Sequence, residues 1–153
     1  MGNNYTETSE VDKIDLKIIS VLLKNAKMTY NEIAEILNIS TSTVHIRVKK
    51  LESLNIIRGF NIRVDFAKIG MKLTAFIGLT INPKLHKEIT TELLKIEEIT
   101  DLHHTTGNFH MIAKIICKDS DQLRDILQNK FTSIPGIEKS ETMISLEEVI
   151  HNY

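Results

Sequence analysis

Histidines crowd one short stretch of the chain. Three of the six histidines, His103, His104 and His110, surround the sequence Thr-Thr-Gly-Asn at residues 105–108. Imidazole nitrogens bind transition metals, act as general acids and bases near neutral pH, and hydrogen-bond to polar ligands. The stretch therefore has the chemistry of a metal site, a catalytic site or a loop that holds a small molecule.

The spacing of these histidines disfavours a metal site. If Gly107 and Asn108 form a hairpin turn, His103 and His110 share one face about 7 Å apart at the strand level, while His104 points away. Two ligands without a nearby Asp, Glu or Cys make a poor site, and His103 is best interpreted as a solvated side chain. For residues 106–110 we favour a ligand loop, because a glycine lets the backbone approach a small molecule and turn amides can receive a carboxylate.

A second chemical pattern lies on a helix predicted for residues 40–55. Val44, Val48 and Leu51 form its apolar stripe, and the opposite face carries hydroxyls in the first turn and lysines in the second. Such a face can approach a duplex closely, meet phosphates and reach guanine edges. The residues predicted to face DNA are Ser42, Thr43, His45, Lys49 and Lys50, with Arg47, Arg58 and Arg63 available to phosphates.

Two shorter helices are predicted before this one. Apolar residues recur at helical spacing from Ile14 to Leu22, and Thr29 with Glu32 has the spacing of a capping box for a helix that Asn38 can end. Only a few residues then separate the second helix from the third, as in a helix-turn-helix DNA reader. A plain helical bundle with a polar third helix is the alternative. Residues 56–66 alternate apolar and basic, which predicts a wing or linker strand.

The second half of the chain has the element order β-α-β-β-α-β. Strands are predicted at residues 72–81, 99–106, 110–118 and 137–150, and helices begin at Asn82-Pro83 and at Asp119 or Ser120. Right-handed crossovers put both helices on one face of an antiparallel sheet, which is the ferredoxin-like fold. The small core and the uncovered second face favour self-association.

A short turn at residues 65–70, capped by Asp65 and ended by Gly70, separates the two halves. The predicted fold class is α+β, with a flexible tail at residues 1–10, a winged helix-turn-helix domain with its linker strand at 11–64, and a ferredoxin-like effector-binding and oligomerisation domain at 65–153.

Composition favours a cytoplasmic protein. The hydrophobic content of 42% supports a core, and no apolar run approaches the roughly 20 residues that span a bilayer. The polar first residues lack a signal core. Cys117 lies in an apolar run, which predicts a small buried side chain. The net charge is −1, yet residues 40–63 carry five Lys or Arg against Glu52 alone, which indicates an anionic partner at that patch.

The combination of motifs resembles the Lrp/AsnC family of bacterial and archaeal transcription regulators over residues 11–150. The matching segments are "DKIDLKIISVLLKNAKMTYNEIAEILNIS", "STVHIRVKKLE", "IIRGFNIRVD…IG" and "TTGNF", and the AsnC branch is closest through "VHIRVKKL", "YNEIA", "TTGNF" and "SETMISL". The resemblance implies a regulator that binds double-stranded DNA, with dimers that pair through their effector domains and assemble into octamers. It also implies an amino-acid effector held where dimers meet, and no other cofactor.

By position, the resemblance also implies the effector-binding residues. Many leucine-responsive relatives carry Gly-Asp-aromatic-Asp where this chain has Gly107 to His110, so no carboxylate is present here to pair with an ammonium group. The AsnC branch also lacks that acid, which makes asparagine the favoured effector, and a different small metabolite is the alternative. The implied residues are His104, Thr105, Thr106, Gly107, Asn108, Phe109 and His110, with Thr132 near the place where a second chain closes the site.

Two alternatives to an amino-acid sensor follow from the same residues. Some proteins similar to this family are sirohaem decarboxylases, for which histidines could act as general acids. The complete hydroxyl-and-lysine face and the presence of only four arginines weigh against an enzyme that binds so many carboxylates. The other alternative is a metal-responsive regulator. We expect a regulator and not an enzyme.

Overall fold

The computed structural model describes residues 10–148 and separates them into two compact units that divide between Arg63 and Val64. The tail predicted for residues 1–10 lies outside the described residues except for Glu10. Residues 149 and 150 of the predicted last strand also lie outside them, and the strand itself ends earlier than predicted, at Ile144.

The first unit contains three helices, α1 at Lys13–Lys24, α2 at Tyr30–Leu37 and α3 at Thr41–Ser53. The capping box predicted for α2 is confirmed, since the Thr29 side chain accepts a hydrogen bond from the amide of Glu32 and the Glu32 carboxylate accepts one from the amide of Thr29. Asn38 ends α2 in the left-handed conformation at φ 52°, as predicted. Ser40 caps α3, so only residues 38–40 link the two helices.

The core of the first unit is aliphatic. The apolar stripe predicted for α3 is confirmed, because Val44, Val48 and Leu51 are all fully buried. Ile18 of α1 and Ile33 of α2 pack against this stripe. The buried side of α3 is thereby fixed, which leaves its opposite side to the solvent.

The strand predicted for residues 56–66 does not form among the described residues. After α3 ends, residues 58–65 have no regular secondary structure, and Phe60 and Ile62 are exposed. A strand exists through its hydrogen bonds to a neighbour, and no described strand pairs with this segment. The prediction of a strand in this segment is therefore wrong.

The second unit contains a four-stranded antiparallel sheet in the order β2-β3-β1-β4. The strands are β1 at Leu73–Ile81, β2 at Ile99–His104, β3 at Met111–Cys117 and β4 at Ile137–Ile144, and the helices are α4 at His86–Leu93 and α5 at Ser120–Asp125. This order and the intervening helices are those of the predicted ferredoxin-like fold.

One element in the second unit has the predicted bounds, and three others refine the prediction. Asp65 and Gly70 bound a 3-10 turn at Phe66–Ile69, as predicted. The Pro83 segment begins as a 3-10 turn at Pro83–Leu85 before α4 starts. The last helix continues from α5 into a π-helical segment at Ile126–Phe131. The second strand ends at His104, two residues earlier than predicted.

One face of the sheet is packed against the helices. Its central positions, such as Ile77 and Leu79 of β1, are fully buried with Ile89, Leu93 and Ile126. Cys117 is buried in the same core, which confirms its predicted place.

The opposite face of the sheet is partly open. Phe76 lies beside Met143 across β1 and β4, with 37% and 47% of their surfaces exposed. Strand β4 has no buried residue. This open face is the surface whose covering the sequence predicted to come from self-association.

Candidate DNA-binding helix and effector loop

The solvent-facing side of α3 is a continuous polar surface with one apolar centre. Ser42, His45, Lys49 and Ser53 are exposed along it, and Ile46 among them is 67% exposed. Thr43 is half-buried at the edge. The helix therefore presents short hydroxyls, an imidazole, an aliphatic side chain and one lysine to whatever lies in front of it.

Hydroxyl contacts fix the start of α3. The Ser40 oxygen accepts a hydrogen bond from the Thr43 amide at 3.1 Å and lies 2.9 Å from the Ser42 hydroxyl. The Thr41 hydroxyl donates to Asn31 of α2 at 2.8 Å. Because this bond joins α2 to α3 across their short link, the angle between the two helices of the helix-turn-helix is held by side chains as well as by the core.

Two of the predicted DNA contacts, Arg47 and Lys50, reach back toward α1. The Arg47 guanidinium lies 2.6 Å from the Asp12 carboxylate and 2.9 Å from that of Asp15, and the Lys50 ammonium lies 2.8 Å from Asp15. Asp15 is fully buried and is the one buried charged residue among residues 10–148. A buried carboxylate is tolerated only where cations and donors satisfy it, so these two cations serve the α1–α3 contact.

The titration behaviour of this cluster agrees with its geometry. Burial acts to raise the pKa of Asp15, but hydrogen bonds from Lys50 and Arg47 outweigh it and hold the pKa below its ordinary value. The hydrogen bond from Arg47 likewise lowers the pKa of Asp12. The two carboxylates in turn raise the pKa of Arg47. Asp12, Asp15 and Arg47 are therefore ionised at neutral pH.

Sequence reasoning missed Asp12 and Asp15 as partners of α3. Asp15 precedes Ile18 by three positions and Leu22 by seven, which places a carboxylate on the buried stripe of α1. That placement is the signal that predicts a cationic partner on a facing helix.

The remaining predicted DNA contacts stay at the surface. The Lys49 side chain is 66% exposed, and its ammonium lies 3.5 Å from the Glu52 carboxylate at the helix surface. The His45 ring packs edge-on against Tyr30 with the ring centroids 5.7 Å apart. Arg58 and Arg63 are exposed in the segment that follows α3.

The predicted effector loop connects β2 to β3. The Thr105 amide donates to the His110 carbonyl at 3.0 Å, and the Thr105 hydroxyl donates to the Phe109 carbonyl at 2.7 Å. The four residues between are thus a closed turn in which Gly107 has φ +112°. Thr106 and Asn108 are exposed at its tip, so their polar groups are accessible to a ligand.

Contacts with β1 hold the base of this loop. The His110 amide donates to the Leu79 carbonyl at 2.8 Å, and the His110 Nδ1 accepts from the Ile81 amide at 3.0 Å. The Phe109 ring covers Gly78, where an added Cβ would lie 2.6 Å from the ring. His110 and Phe109 therefore anchor the loop to the sheet, and its tip remains open.

The other implied residues are His104 and Thr132, and His103, interpreted as a solvated side chain, precedes His104. His103 is exposed and pairs across the strands with Ile112, while His104 pairs with Met111. The His104 ring also meets His86 at the start of α4, a neighbour that sequence reasoning missed because 18 residues separate the two. Thr132 follows the π-helical segment and its hydroxyl donates to the Gln128 carbonyl.

The described residues contain neither a three-ligand metal cluster nor a membrane span. Among residues 10–148, no three His, Cys, Asp or Glu side chains come together as metal ligands would. None of the helices in that range is both long and apolar enough to cross a bilayer.

A three-helix reader with an exposed polar face, followed by a ferredoxin-like unit with an anchored loop, defines a DNA-binding regulator with a ligand-binding domain. Residues 11–58 match the winged helix-turn-helix DNA-binding domain, and residues 74–153 match the Lrp/AsnC ligand binding domain. The chain belongs to the Lrp/AsnC family and is a transcriptional regulator.

Its relatives are regulators from archaea and bacteria. The chain is 37% identical to the HTH-type transcriptional regulator FL11 of Pyrococcus abyssi over 137 residues, which cover 90% of each protein. It is 34% identical to the regulatory protein AsnC of Escherichia coli (strain K12), covering 92% of this chain and 93% of the relative. These names agree with a regulator and not with the decarboxylase alternative.

Solved structures show the same fold over nearly the whole length. The structure of E. coli AsnC superimposes with a TM-score of 0.85 at 31% identity, covering 94% of this chain and 97% of the other. A transcriptional regulator from Neisseria meningitidis in complex with L-Met superimposes with a TM-score of 0.86 at 24% identity, covering 92% and 93%. The latter likeness concerns the fold alone.

Proposed function

We propose that this regulator reads double-stranded DNA with the exposed face of α3. The observation that carries the proposal is the composition of that face, where Ser42, Thr43, His45 and Lys49 surround Ile46 while the buried side is fully packed. Hydroxyls and amides at the start of a helix meet phosphates, and longer side chains reach base edges in the major groove.

The basic residues divide into two roles in this proposal. Lys49 contacts DNA directly, and Arg58 and Arg63 contact phosphates beside the helix. Arg47 and Lys50 act as positioning residues, because their charged groups lie 2.9 Å and 2.8 Å from the Asp15 carboxylate. This division supports a reading helix whose orientation depends on the α1–α3 ion pairs.

The salt dependence of DNA binding tests the division. The probe is a duplex selected by the full-length protein from a random library, and the slope of log K against log salt is measured. Lys49→Ala should reduce the slope by about 0.9, the value for one phosphate contact, and Lys50→Ala by less than half as much. Lys95→Ala, an exposed lysine paired with Glu92 in the second unit, is the matched control. Equal losses for Lys49 and Lys50 would contradict the division.

We further propose that the loop at residues 104–110, with Thr132 supplied from a neighbouring chain, holds an amino-acid effector, with asparagine favoured. Thr106 and Asn108 are exposed at the loop tip, and Thr105, Phe109 and His110 support it from below. The loop contains no carboxylate, which favours a ligand with a neutral polar side chain. The binding of L-Met by a regulator of the same fold supports the choice of an amino acid.

A thermal-shift screen against the twenty amino acids tests this second proposal. A ligand at a hundred times its Kd stabilises the folded state by about 2.7 kcal/mol, and asparagine should give the largest rise in Tm. Asn108→Ala and Thr106→Val should each reduce that rise, whereas His103→Ala, on the neighbouring strand, should leave it unchanged. A rise that survives both loop variants would place the ligand elsewhere.

Assembly completes the proposal. We infer that the chain forms homodimers through the open face of the sheet and that dimers gather into octamers in the cytoplasm, where they meet DNA. The exposed pair of Phe76 and Met143 supports the surface. Phe76→Asp should shift light-scattering mass toward the monomer, and Thr91→Asp on α4 should not. An unchanged mass for Phe76→Asp would assign the interface to another surface.

A further inference from the structure

Two histidines from different elements meet at the surface of the second unit. His86 is the first residue of α4 and His104 is the last residue of β2. The His86 Nε2 lies 2.9 Å from the His104 Nδ1, and the ring centroids are 4.1 Å apart with an interplanar angle of 37°. His86 is half-buried and His104 is exposed, so the pair is open to ions from solution.

The two nitrogens are at hydrogen-bond distance, but the rings lie closer together than in a linear hydrogen bond. A near-linear N–H···N bond of this length would hold the ring centroids about 5 Å apart. The observed 4.1 Å means that the contact between the two rings is bent and not linear.

The separation of the two nitrogens is that of two ligands of one metal ion. Two metal–nitrogen bonds of about 2.05 Å that meet at about 90° place their nitrogens about 2.9 Å apart. The same arrangement puts the ring centroids roughly 4.5 Å apart, close to the observed 4.1 Å. A right angle between neighbouring ligands is the geometry that Ni²⁺ and Cu²⁺ adopt with nitrogen and oxygen ligands.

We propose that His86 and His104 form a bidentate site for a first-row divalent transition metal ion, with Ni²⁺ and Cu²⁺ favoured over ions that prefer oxygen. Within the described residues no third His, Cys, Asp or Glu joins the pair, so the remaining coordination positions are open to water or to a small chelating molecule. His103 and His110 were disfavoured as a two-ligand site because their strand positions lie about 7 Å apart, whereas the two nitrogens here lie 2.9 Å apart, so one ion can bind both without a third protein ligand.

A metal bound there would connect two elements beside the effector loop. It would hold the first residue of α4 to the end of β2, and His104 directly precedes Thr105, which closes the loop by hydrogen bonds to Phe109 and His110. Metal binding would therefore stiffen the strand end from which the loop begins. This inference is independent of the identity of the effector.

Calorimetric titration of the full chain with Ni²⁺ tests the site. We expect one Ni²⁺ to bind per protomer. His86→Ala and His104→Ala should each weaken Ni²⁺ binding by at least about tenfold, because loss of even a residue that only hydrogen-bonds to a metal ligand has an effect of that size. His103→Ala is the matched control, because this exposed histidine neighbours His104 on the same strand yet faces the other side of the sheet. The Ni²⁺ affinity of the His103→Ala variant should stay within about twofold of the wild type, because His103 supplies no metal ligand.

Two results would overturn the proposal. One is wild-type affinity in either the His86 or the His104 variant, and the other is an equal loss in the His103 variant. His86→Asn and His104→Asn repeat the test with side chains of similar polarity, and far-UV circular dichroism shows that each variant is folded. A Cu²⁺ electron paramagnetic resonance spectrum with coupling to two imidazole nitrogens, reduced to one in each single variant, would support the assignment.

Discussion

Replacement of Asp15 by Asn tests how α3 is positioned. The Asp15 carboxylate accepts hydrogen bonds from Arg47 at 2.9 Å, from Lys50 at 2.8 Å and from the Asp12 amide at 3.2 Å. The Asn side chain keeps the shape but turns an NH₂ group toward cationic donors. Removal of one partner from a buried ion pair costs about 3–5 kcal/mol.

The expected loss lies near the low end of that range. Arg47 keeps its 2.6 Å contact with Asp12, and the side chain of Lys50 is 41% exposed and can turn to water. We therefore expect Asp15→Asn to lower the free energy of opening of the first unit by about 3 kcal/mol at neutral pH. That value corresponds to a roughly hundredfold faster amide exchange in peptides covering residues 41–53.

The effect should depend on pH in a defined direction. The pKa of Asp15 is lowered from its ordinary value of 3.8 in the folded state, so its stabilisation is complete above that pH and is lost as the pH falls through the folded pKa. The difference between Asp15→Asn and wild type should therefore be constant from about pH 7 down to about pH 5 and narrow only below about pH 4.

Hydrogen exchange followed by mass spectrometry provides the measurement. Glu52→Gln is the control, since the Lys49–Glu52 pair is exposed on the same helix and is worth at most about 0.5 kcal/mol. If exchange of residues 41–53 is unchanged in Asp15→Asn at neutral pH, or if Glu52→Gln has an equal effect, the assignment of Asp15 as the anchor of α3 is wrong.

Three further predictions concern other buried or exposed groups. Gly78→Ala should destabilise the second unit by about 1–3 kcal/mol, because its Cβ would lie 2.6 Å from the Phe109 ring. Chemical denaturation measures this loss, and an unchanged free energy of unfolding would mean that the ring moves freely. Burial raises the pKa of the Cys117 thiol, so iodoacetamide at about pH 8 should label it only after unfolding; rapid labelling of the native chain, seen by mass spectrometry, would contradict this. Ile46 should pack against a thymine methyl group, so replacing thymine by deoxyuridine at one position of the selected duplex should weaken binding about fourfold; Ile46→Ala should remove that difference, and a fourfold loss that persists in the variant would exclude the contact.

Local patterns predicted the elements and their ends. The Thr29–Glu32 capping box, the left-handed Asn38 and the Asp65–Gly70 turn all depend on residues within a few positions of one another. The apolar stripe of α3 was also predictable, because helical periodicity alone sets which side is buried. These features need no knowledge of the rest of the chain.

Contacts between distant residues were not predictable in the same way. The helical pattern placed Arg47 and Lys50 at the edge of the DNA face, but it did not specify that Asp15, 32 and 35 residues earlier, would draw both inward. The meeting of His86 with His104 likewise depends on the packing of α4 beside β2. The segment at residues 56–66 shows the same limit of local patterns. Its alternating sequence predicted a strand, but a strand needs a hydrogen-bonded partner, and none of the described strands pairs with it.

The contact between Phe109 and Gly78 has a consequence for how this sequence can change. The ring occupies the space that any other side chain at position 78 would need. A substitution at position 78 is therefore destabilising unless position 109 has first become smaller, whereas a smaller residue at position 109 leaves a gap and does not create a clash. Substitution at position 109 before position 78 is therefore the less costly order. Which residues can occupy the central strand at position 78 thus depends on a residue of the effector loop.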